Sequence, residues 1–222
     1  MFLSVVSLHS FQAKNYEHLK TACPKLGSEV LDIHFKLYRG YVNQTNKLQA
    51  YLQENPAAST FIYASIKRRY AWEYDSMMLH ELYFDNLGGN GRLEKDTDLY
   101  RALTMQYGSM DKWMADLKAT ARTRGIGWVI LYYNPQTKMF TNAWIQDHDK
   151  GLLVCEMPIL VIDLWEHAYL CQFGLDRIGY VDTVLEYLDF DEINQRFERA
   201  EMMSPDKSMH RSKDRSMEMS EE

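Results

Sequence analysis

Two long stretches with helical periodicity, residues 29–48 and 59–87, most constrain what this chain can fold into. In the first, apolar side chains recur every three or four residues, which is typical of a helix with one buried face. Pro56 separates the two stretches because proline interrupts a helix. We therefore predict two consecutive long helices that pair antiparallel, and we expect Ser28 to cap the first one.

Each predicted helix carries one histidine among apolar residues. His34 lies on the apolar stripe of the first helix. His80 lies close in sequence to Leu79 and Tyr83 on the second. Antiparallel pairing of the helices would let the two imidazoles meet. Taken alone, His34 is explained better as a hydrogen-bonded histidine of the core than as a ligand.

A carboxylate and an imidazole follow directly after an apolar run. Residues 157–162 are apolar and partly β-branched, which predicts a short buried strand. Asp163 comes next, and His167 lies four residues further on. If the chain turns helical there, the two side chains share one face and can bind one ion. This donor pair suits a first-row transition metal, although similar pairs also occur as surface ion pairs on helices.

The string DLWEHAY at residues 163–169 resembles the D-x-W-E-H-A-Y signature of the iron/manganese superoxide dismutases. Other segments are similar to motifs of the same family, with Phe190 in place of a usual tryptophan. These segments lie at residues 33–43, 79–84, 108–113, 125–128 and 177–197. The resemblance extends over residues 28–200 and brings a set of expectations for the site.

The resemblance implies that the chain disproportionates superoxide into dioxygen and hydrogen peroxide, with one iron or manganese ion per subunit. The expected ligands are His34, His80, Asp163 and His167. A solvent molecule is the expected fifth ligand. Two rival functions are a non-haem iron oxygenase, for which four protein ligands are one too many, and a catalytically inactive scaffold with a dismutase-like fold.

A hydrogen-bond partner for that solvent ligand is expected to tune the redox potential. His148, fifteen residues before Asp163, matches the position of such a residue in some family members. Gln146 is the alternative. Ser76, at the other position that the family uses, has too short a side chain.

Tyr41 resembles the tyrosine at the gateway of the family's substrate channel. It follows His34 by seven residues where eight are usual, and one residue rotates a helical side chain by about 100°. Tyr38 stands roughly where the family has a second channel histidine. Trp128 and Trp165 are expected to wall the pocket, a role compatible with ordinary core packing.

The resemblance also implies a homodimer, or a higher oligomer, whose two sites are linked. Glu166 and Tyr169 would reach the other subunit, and Tyr38 is assigned to the same link. Arg177 matches a family arginine near the channel mouth, where it would attract the anionic substrate.

The predicted fold class is α+β. A long N-terminal α-hairpin domain (residues 1–88) would precede a C-terminal α/β domain (92–201) with a three-stranded antiparallel sheet. The boundary is placed at the glycine-rich break at residues 88–91. Residues 202–222 lack apolar periodicity and are predicted to be a disordered tail.

The composition gives expectations for the binding partners and the cellular compartment of the protein. A net charge of −6 gives no footprint for nucleic acid, and no apolar run is long enough to cross a membrane. Residues 1–8 are apolar but lack the basic start of a signal peptide. Three cysteines are too few for a disulfide framework, so we expect a cytoplasmic protein. Cys155 and Cys171 are expected to be buried thiols, with Cys171 as a less favoured metal ligand.

Overall fold

A computed structural model describes residues 10–56 and 60–203 of the chain. Its helices are α1 (Leu19–Ala22), α2 (Ser28–Glu54), α3 (Phe61–Asp85), α4 (Asp98–Tyr107), α5 (Met110–Ala121), α6 (Glu166–Phe173), α7 (Arg177–Glu186) and α8 (Phe190–Met202), with a 3-10 turn at Pro24–Leu26. Its strands are β1 (Gly127–Asn134), β2 (Met139–Gln146) and β3 (Met157–Asp163). The predicted α+β class is confirmed.

Helices α2 and α3 form the predicted antiparallel pair. His34 lies near the start of α2 and His80 near the end of α3, yet their ring centroids are 5.1 Å apart. Near the other end of the pair, the hydroxyl of Tyr70 in α3 donates to Gln49 of α2 at 3.4 Å, so the two helices run in opposite directions. The expected Ser28 cap is wrong, because Gly27 (φ 82°) is the N-cap and Ser28 is already helical. At α3 the side chain of Thr60 is the cap and accepts from a backbone N–H.

The three strands form one antiparallel sheet in the order β2-β1-β3, as expected. The central strand β1 is buried at every position except its last residue, because helices cover the sheet. Helices α3 and α8 pack against β3, and α5 packs against β1. The turn between β1 and β2 is stabilised by Asn134, whose Oδ1 accepts from the backbone N–H groups of Gln136 (2.9 Å) and Thr137 (3.0 Å).

The glycine-rich segment at residues 88–91 is hydrogen-bonded to the segment between α7 and α8. The backbone N–H groups of Gly88 and Gly89 donate to the carbonyl of Tyr187, at 2.9 and 3.0 Å. A Cβ on Gly89 would lie 2.3 Å from the carbonyl oxygen of Leu188, so only glycine fits there. One hydrophobic cluster includes residues of both halves. Because the two halves share this cluster, their division into two domains stays a prediction from the sequence.

Two buried polar side chains hold the end of α3 against the sheet. Asn86 follows α3, and its Oδ1 accepts from the backbone N–H of Val161 in β3 at 3.0 Å. Arg196 of α8 donates to the carbonyl of Leu82 in α3 at 3.0 Å. These bonds fix the helix that carries His80 against the strand that ends at Asp163.

Several expectations at the periphery need correction or lie outside the described residues. Cys155 and Cys171 are exposed and only Cys23 is buried, because Cys155 lies in a loop and Cys171 on the outer side of α6. Helix α8 runs through Met202, so the predicted tail begins too early; residues 1–9 and 204–222 are outside the described part. Among the described helices, none is both long and apolar enough to cross a membrane.

Candidate metal centre

Four predicted ligand side chains converge between the two halves of the chain. Oδ2 of Asp163 lies 3.0 Å from Nε2 of His34 and 3.1 Å from Nε2 of His167. Nε2 of His80 is 3.6 Å from the same oxygen. One ligating atom from each residue lies within 4.8 Å of all the others. Such a cluster could hold one metal ion; Cys171 is not part of it.

The Asp163 carboxylate is oriented by the end of the strand. Asp163 is the last residue of β3, and α6 begins only at Glu166, so the pair with His167 does not lie on a single helix as predicted. The backbone N–H of Trp165 donates to Oδ1 of Asp163 at 2.7 Å. This bond occupies Oδ1 and leaves Oδ2 among the three imidazoles.

The hydrogen bonds of His80 decide which of its nitrogens is free. Its Nδ1 lies 2.6 Å from the carbonyl oxygen of Ser76. Because a carbonyl only accepts, Nδ1 must carry the proton and Nε2 must carry a lone pair. Nε2 is buried and has no hydrogen-bond partner in the described part of the chain. A buried lone pair without a hydrogen-bond donor costs free energy. A metal ion bound to Nε2 would remove that cost.

The electrostatics of the cluster also suit a cation. Burial lowers the pKa of His34, although Asp163 opposes the shift. Burial lowers the pKa of His80 still further, and the nearby His34 adds to the effect. Burial by itself would raise the pKa of Asp163, but His167 and His34 outweigh it and hold that pKa well below its usual range. Neutral imidazoles and an ionised carboxylate are the forms that bind metals.

His148 is fully buried beside the ligands. The indole N–H of Trp128 donates to Nδ1 of His148 at 3.1 Å, so the His148 proton must sit on Nε2. Burial lowers the pKa of His148 to about 4, which keeps the ring neutral. Its ring stacks on Trp165 with centroids 4.5 Å apart and lies 6.0 Å from the ring of His80. Nε2 is buried and has no hydrogen-bond partner among residues 10–56 and 60–203.

Comparison with known proteins identifies the family. The family model described as iron/manganese superoxide dismutases, C-terminal domain, matches residues 95–196. A manganese superoxide dismutase of Haloarcula marismortui is 30% identical over 179 residues, which cover 80% of this chain and 88% of the relative. An iron superoxide dismutase of Cupriavidus metallidurans is 33% identical over 167 residues, covering 73% of this chain and 83% of the relative.

The chain belongs to the iron/manganese superoxide dismutases. The resemblance expected from the sequence is therefore confirmed. The donor set of the cluster fits the metals of this family, because three imidazole nitrogens and one carboxylate oxygen suit first-row transition metals. A manganese superoxide dismutase of Halobacterium salinarum is 32% identical over 80% of this chain and 89% of its own length. Relatives named with iron and with manganese are thus similar to this chain to about the same degree.

Around this dismutase cluster, the structure places Tyr41 close to the ligands despite the short spacing. Its ring centroid is 5.0 Å from that of His80 and 5.4 Å from that of His148. Helix α2 is α-helical from Ser28 to Glu54, so a regular helix brings Tyr41 there with the seven-residue spacing. Burial raises the pKa of the Tyr41 hydroxyl, which therefore stays protonated. Tyr41 also lines an open groove between α2 and α3, together with Arg69.

The two expected wall residues of the dismutase pocket lie against ligands, and the alternative to His148 does not. The ring of Trp128 is 5.0 Å from that of His80, and the ring of Trp165 is 5.9 Å from that of His167. Gln146 is exposed at the end of β2. The structure thus brings His148 to the cluster and leaves Gln146 at the surface.

The residues expected at the subunit contact or the channel mouth of this dismutase differ in how exposed they are. Tyr38 is buried, and its hydroxyl donates to Glu81 at 2.8 Å, so it faces the core. Tyr169 is half-buried against another tyrosine ring. Glu166 is exposed and has no hydrogen bond or ion pair within the described residues. Arg177 donates to the carbonyls of Gly125 and Thr123, which ties down the loop before β1.

One residue beside the dismutase site was missed by the sequence analysis. Trp72 of α3 contacts the rings of His148 (centroids 4.6 Å apart) and Tyr41 (5.7 Å). Its indole N–H donates to Asp147 at 2.8 Å. Trp72 precedes His80 by eight residues, a spacing that returns a helical side chain to a similar face, and this was the available signal.

Proposed function

We propose that this chain is a superoxide dismutase that converts superoxide into dioxygen and hydrogen peroxide at one bound iron or manganese ion per subunit. The observation that carries the proposal is the meeting of four ligand side chains from separate parts of the chain, within 4.8 Å of one another. No ligand of the family pattern is missing, which argues against an inactive scaffold. The similar proteins named as iron and manganese superoxide dismutases support the same activity.

The ligand residues would hold the ion in a rigid and largely buried site. His34 and His80 come from the helix pair, Asp163 from the end of β3, and His167 from the first turn of α6. The bound metal would supply the electron chemistry by alternating between its trivalent and divalent states. Of the four ligand side chains, His167 alone is partly exposed, at 16%.

His148 is the residue that we assign to hydrogen bonding within the pocket. The bond from Trp128 fixes its proton on Nε2, and burial keeps the ring neutral at physiological pH. A neutral imidazole with a free N–H can donate a hydrogen bond to a small oxygen ligand without adding charge to the site. Such outer contacts tune the potential of a metal centre.

We assign substrate access to the groove beside Tyr41. The groove lies between α2 and α3 and is lined by the cationic Lys36 and Lys47 and by Arg69, which pairs with the anionic Glu73 of the same groove. A small anion is attracted to such a mouth even in a protein with net charge −6. Arg177 is engaged with backbone carbonyls, so its expected part in attracting superoxide rests on the resemblance alone.

We further propose a homodimer whose contact includes the outer side of α6. Glu166 is exposed there without a partner among the described residues, next in sequence to the ligand His167. Leu170 (44% exposed) and Leu175 (95% exposed) add apolar surface to the same region. Exposed apolar side chains of this kind often mark an interface.

A cytoplasmic location is proposed from the cysteines. The chain has three of them, and all are free thiols. Sparse, unpaired cysteines are typical of proteins in reducing compartments. Fractionation of the native host, with detection of the intact chain, tests this location.

The activity is tested on the purified chain after loading with iron and, separately, with manganese. Metal content is measured on the same samples in which superoxide consumption is followed. We expect one ion per chain and rapid superoxide consumption with at least one of the two metals. A fully loaded protein that leaves superoxide untouched with both metals would contradict the proposed function.

A further inference from the structure

His148 sits at the tip of a tight turn, yet its side chain points into the protein. Gln146 and Lys150 close the turn through two backbone hydrogen bonds, of 3.0 and 3.2 Å. Asp147 adopts φ 61°, a left-handed conformation that is uncommon outside glycine but that aspartate tolerates better than most residues. His148 is nevertheless 0% exposed. A backbone of this kind persists only where its surroundings hold it.

The Asp147 carboxylate is what ties this turn to the rest of the fold. Its Oδ1 accepts from the indole N–H of Trp72 at 2.8 Å and from the backbone N–H of His148 at 3.1 Å. Its Oδ2 accepts from the ammonium of Lys150 at 3.0 Å. Trp72 lies on α3, the helix that also carries His80. One hydrogen bond therefore joins the ligand helix to the turn that carries His148.

Trp72 is itself held in a fixed orientation. The guanidinium of Arg69 lies over its ring, 3.9 Å from the centroid. Arg69 is fixed in turn by Glu73, whose Oε1 accepts from Arg69 Nε at 2.8 Å. The Trp72 ring also packs edge to face against the His148 ring, with centroids 4.6 Å apart. The indole N–H is thus aimed by neighbours on both sides.

We propose that Trp72 is a positioning residue for the dismutase reaction, acting through its hydrogen bond to Asp147. The bond holds the 146–150 turn against α3 and so sets the place of the His148 ring beside the metal cluster. Trp128 holds the other side of the same ring through Nδ1. The inference rests on the proposed function, since it assigns to Trp72 and Asp147 the support of a residue in that site.

The first test replaces Trp72 by phenylalanine, which keeps a six-membered aromatic ring and removes the five-membered ring that carries the indole N–H. A matched control is Trp144→Phe in β2, because Nε1 of Trp144 has no hydrogen-bond partner in the described part of the chain. We expect W72F to lower kcat about tenfold, as typical for the loss of an outer contact at a metal site, with metal content retained. We also expect W72F, and not W144F, to shift the midpoint potential of the bound metal.

The second test changes the acceptor. Asp147→Asn keeps Oδ1 for the Trp72 N–H, whereas Asp147→Ala removes it. We expect D147A to lose at least as much kcat as W72F, with a potential shifted in the same direction, because it also removes the bonds from the His148 N–H and Lys150. We expect D147N to recover most of that loss. The double variant W72F/D147A should lose less than the sum of the two single losses, because both changes break the same bond.

Two results would overturn the inference. One is a W72F protein with the kcat and the potential of W144F. The other is a double variant whose losses are the sum of the single ones. If W72F does not fold, the comparison of D147A with D147N decides. An inactive but fully loaded parent would refute the proposed function instead, and the potentials of the variants would still test the bond.

Discussion

At the scale of single residues, the position of the proton on two histidines, His80 and His148, follows from one neighbour each. Ser76 places the His80 proton on Nδ1 and frees Nε2 for a metal. Trp128 does the reverse for His148 and places the proton on Nε2. The same side chain thus serves as a ligand in one place and as a hydrogen-bond donor in another, and the difference lies in what its other nitrogen contacts.

This assignment predicts different outcomes for the two candidates near the end of β2. We expect His148→Ala to lower kcat about tenfold or more while the four ligands still bind metal. Gln146→Ala should behave like the parent because Gln146 is exposed. Steady-state superoxide consumption, normalised to metal content, measures both. Equal losses in the two variants would show that the assignment is wrong.

A second residue-scale prediction concerns Asp75 of α3. Burial and the nearby Asp149 raise its pKa to about 6 in the folded chain, above the unfolded value of about 3.9. The folded state therefore binds this proton more tightly, and the free energy of unfolding falls as pH rises through this window, from about 4 to about 6. Above the window the loss is complete.

Asp75→Asn should remove the loss in free energy of unfolding that ionisation of Asp75 causes. Because Asp75 is only half-buried, solvent screening limits the expected gain in the free energy of unfolding to about 1 kcal/mol at pH 7.5. At pH 4 the gain should shrink, since the carboxyl is then mostly protonated. Denaturant unfolding of variant and parent at both pH values measures the difference. A variant that is less stable than the parent at pH 7.5 would contradict the argument.

At the scale of helices and strands, the sequence predicts most of what positions the ligands. The apolar periodicity around His34 and the run before Asp163 are local signals, so α2 and β3 follow from them directly. The side chain of Ser109 caps α5 by accepting from the backbone N–H of Lys112, which is another local interaction. Contacts between distant segments leave no local signal. Trp72 and Asp147 meet only because the fold brings α3 to the β2–β3 turn.

Asn86 illustrates such a contact and gives a prediction for the elements. Its buried amide joins the end of α3 to β3, accepting from Val161 at 3.0 Å and donating to Tyr83 at 2.8 Å. Asn86→Ala leaves a buried N–H and a buried carbonyl without partners, which should lower the free energy of unfolding by about 2 kcal/mol. Asn55→Ala, at the exposed end of α2, is the control and should cost less. Chemical denaturation distinguishes the two.

At the scale of the whole molecule, the proposed subunit contact on the outer side of α6 lies next in sequence to the metal ligand His167. Glu166 precedes the ligand His167 and is exposed in the single chain. A partner subunit that engaged this carboxylate would couple assembly to metal binding. The α6 surface is therefore expected to affect both properties together.

Glu166→Ala should weaken dimerisation and metal retention at once. Sedimentation velocity over a range of concentrations measures the first, and metal content after dialysis against a chelator measures the second. Glu94→Ala, an exposed carboxylate before α4, is the control and should change neither. Unchanged dimer stability in Glu166→Ala would count against the proposed contact.

The central claim is that side chains from both halves of one chain hold a single iron or manganese ion. Anomalous X-ray scattering from crystals of the metal-loaded protein, recorded at the absorption edges of both metals, tests it most directly. We expect one strong peak per chain, within bonding distance of His34, His80, Asp163 and His167. A loaded crystal without that peak, or with the ion bound elsewhere, would contradict it.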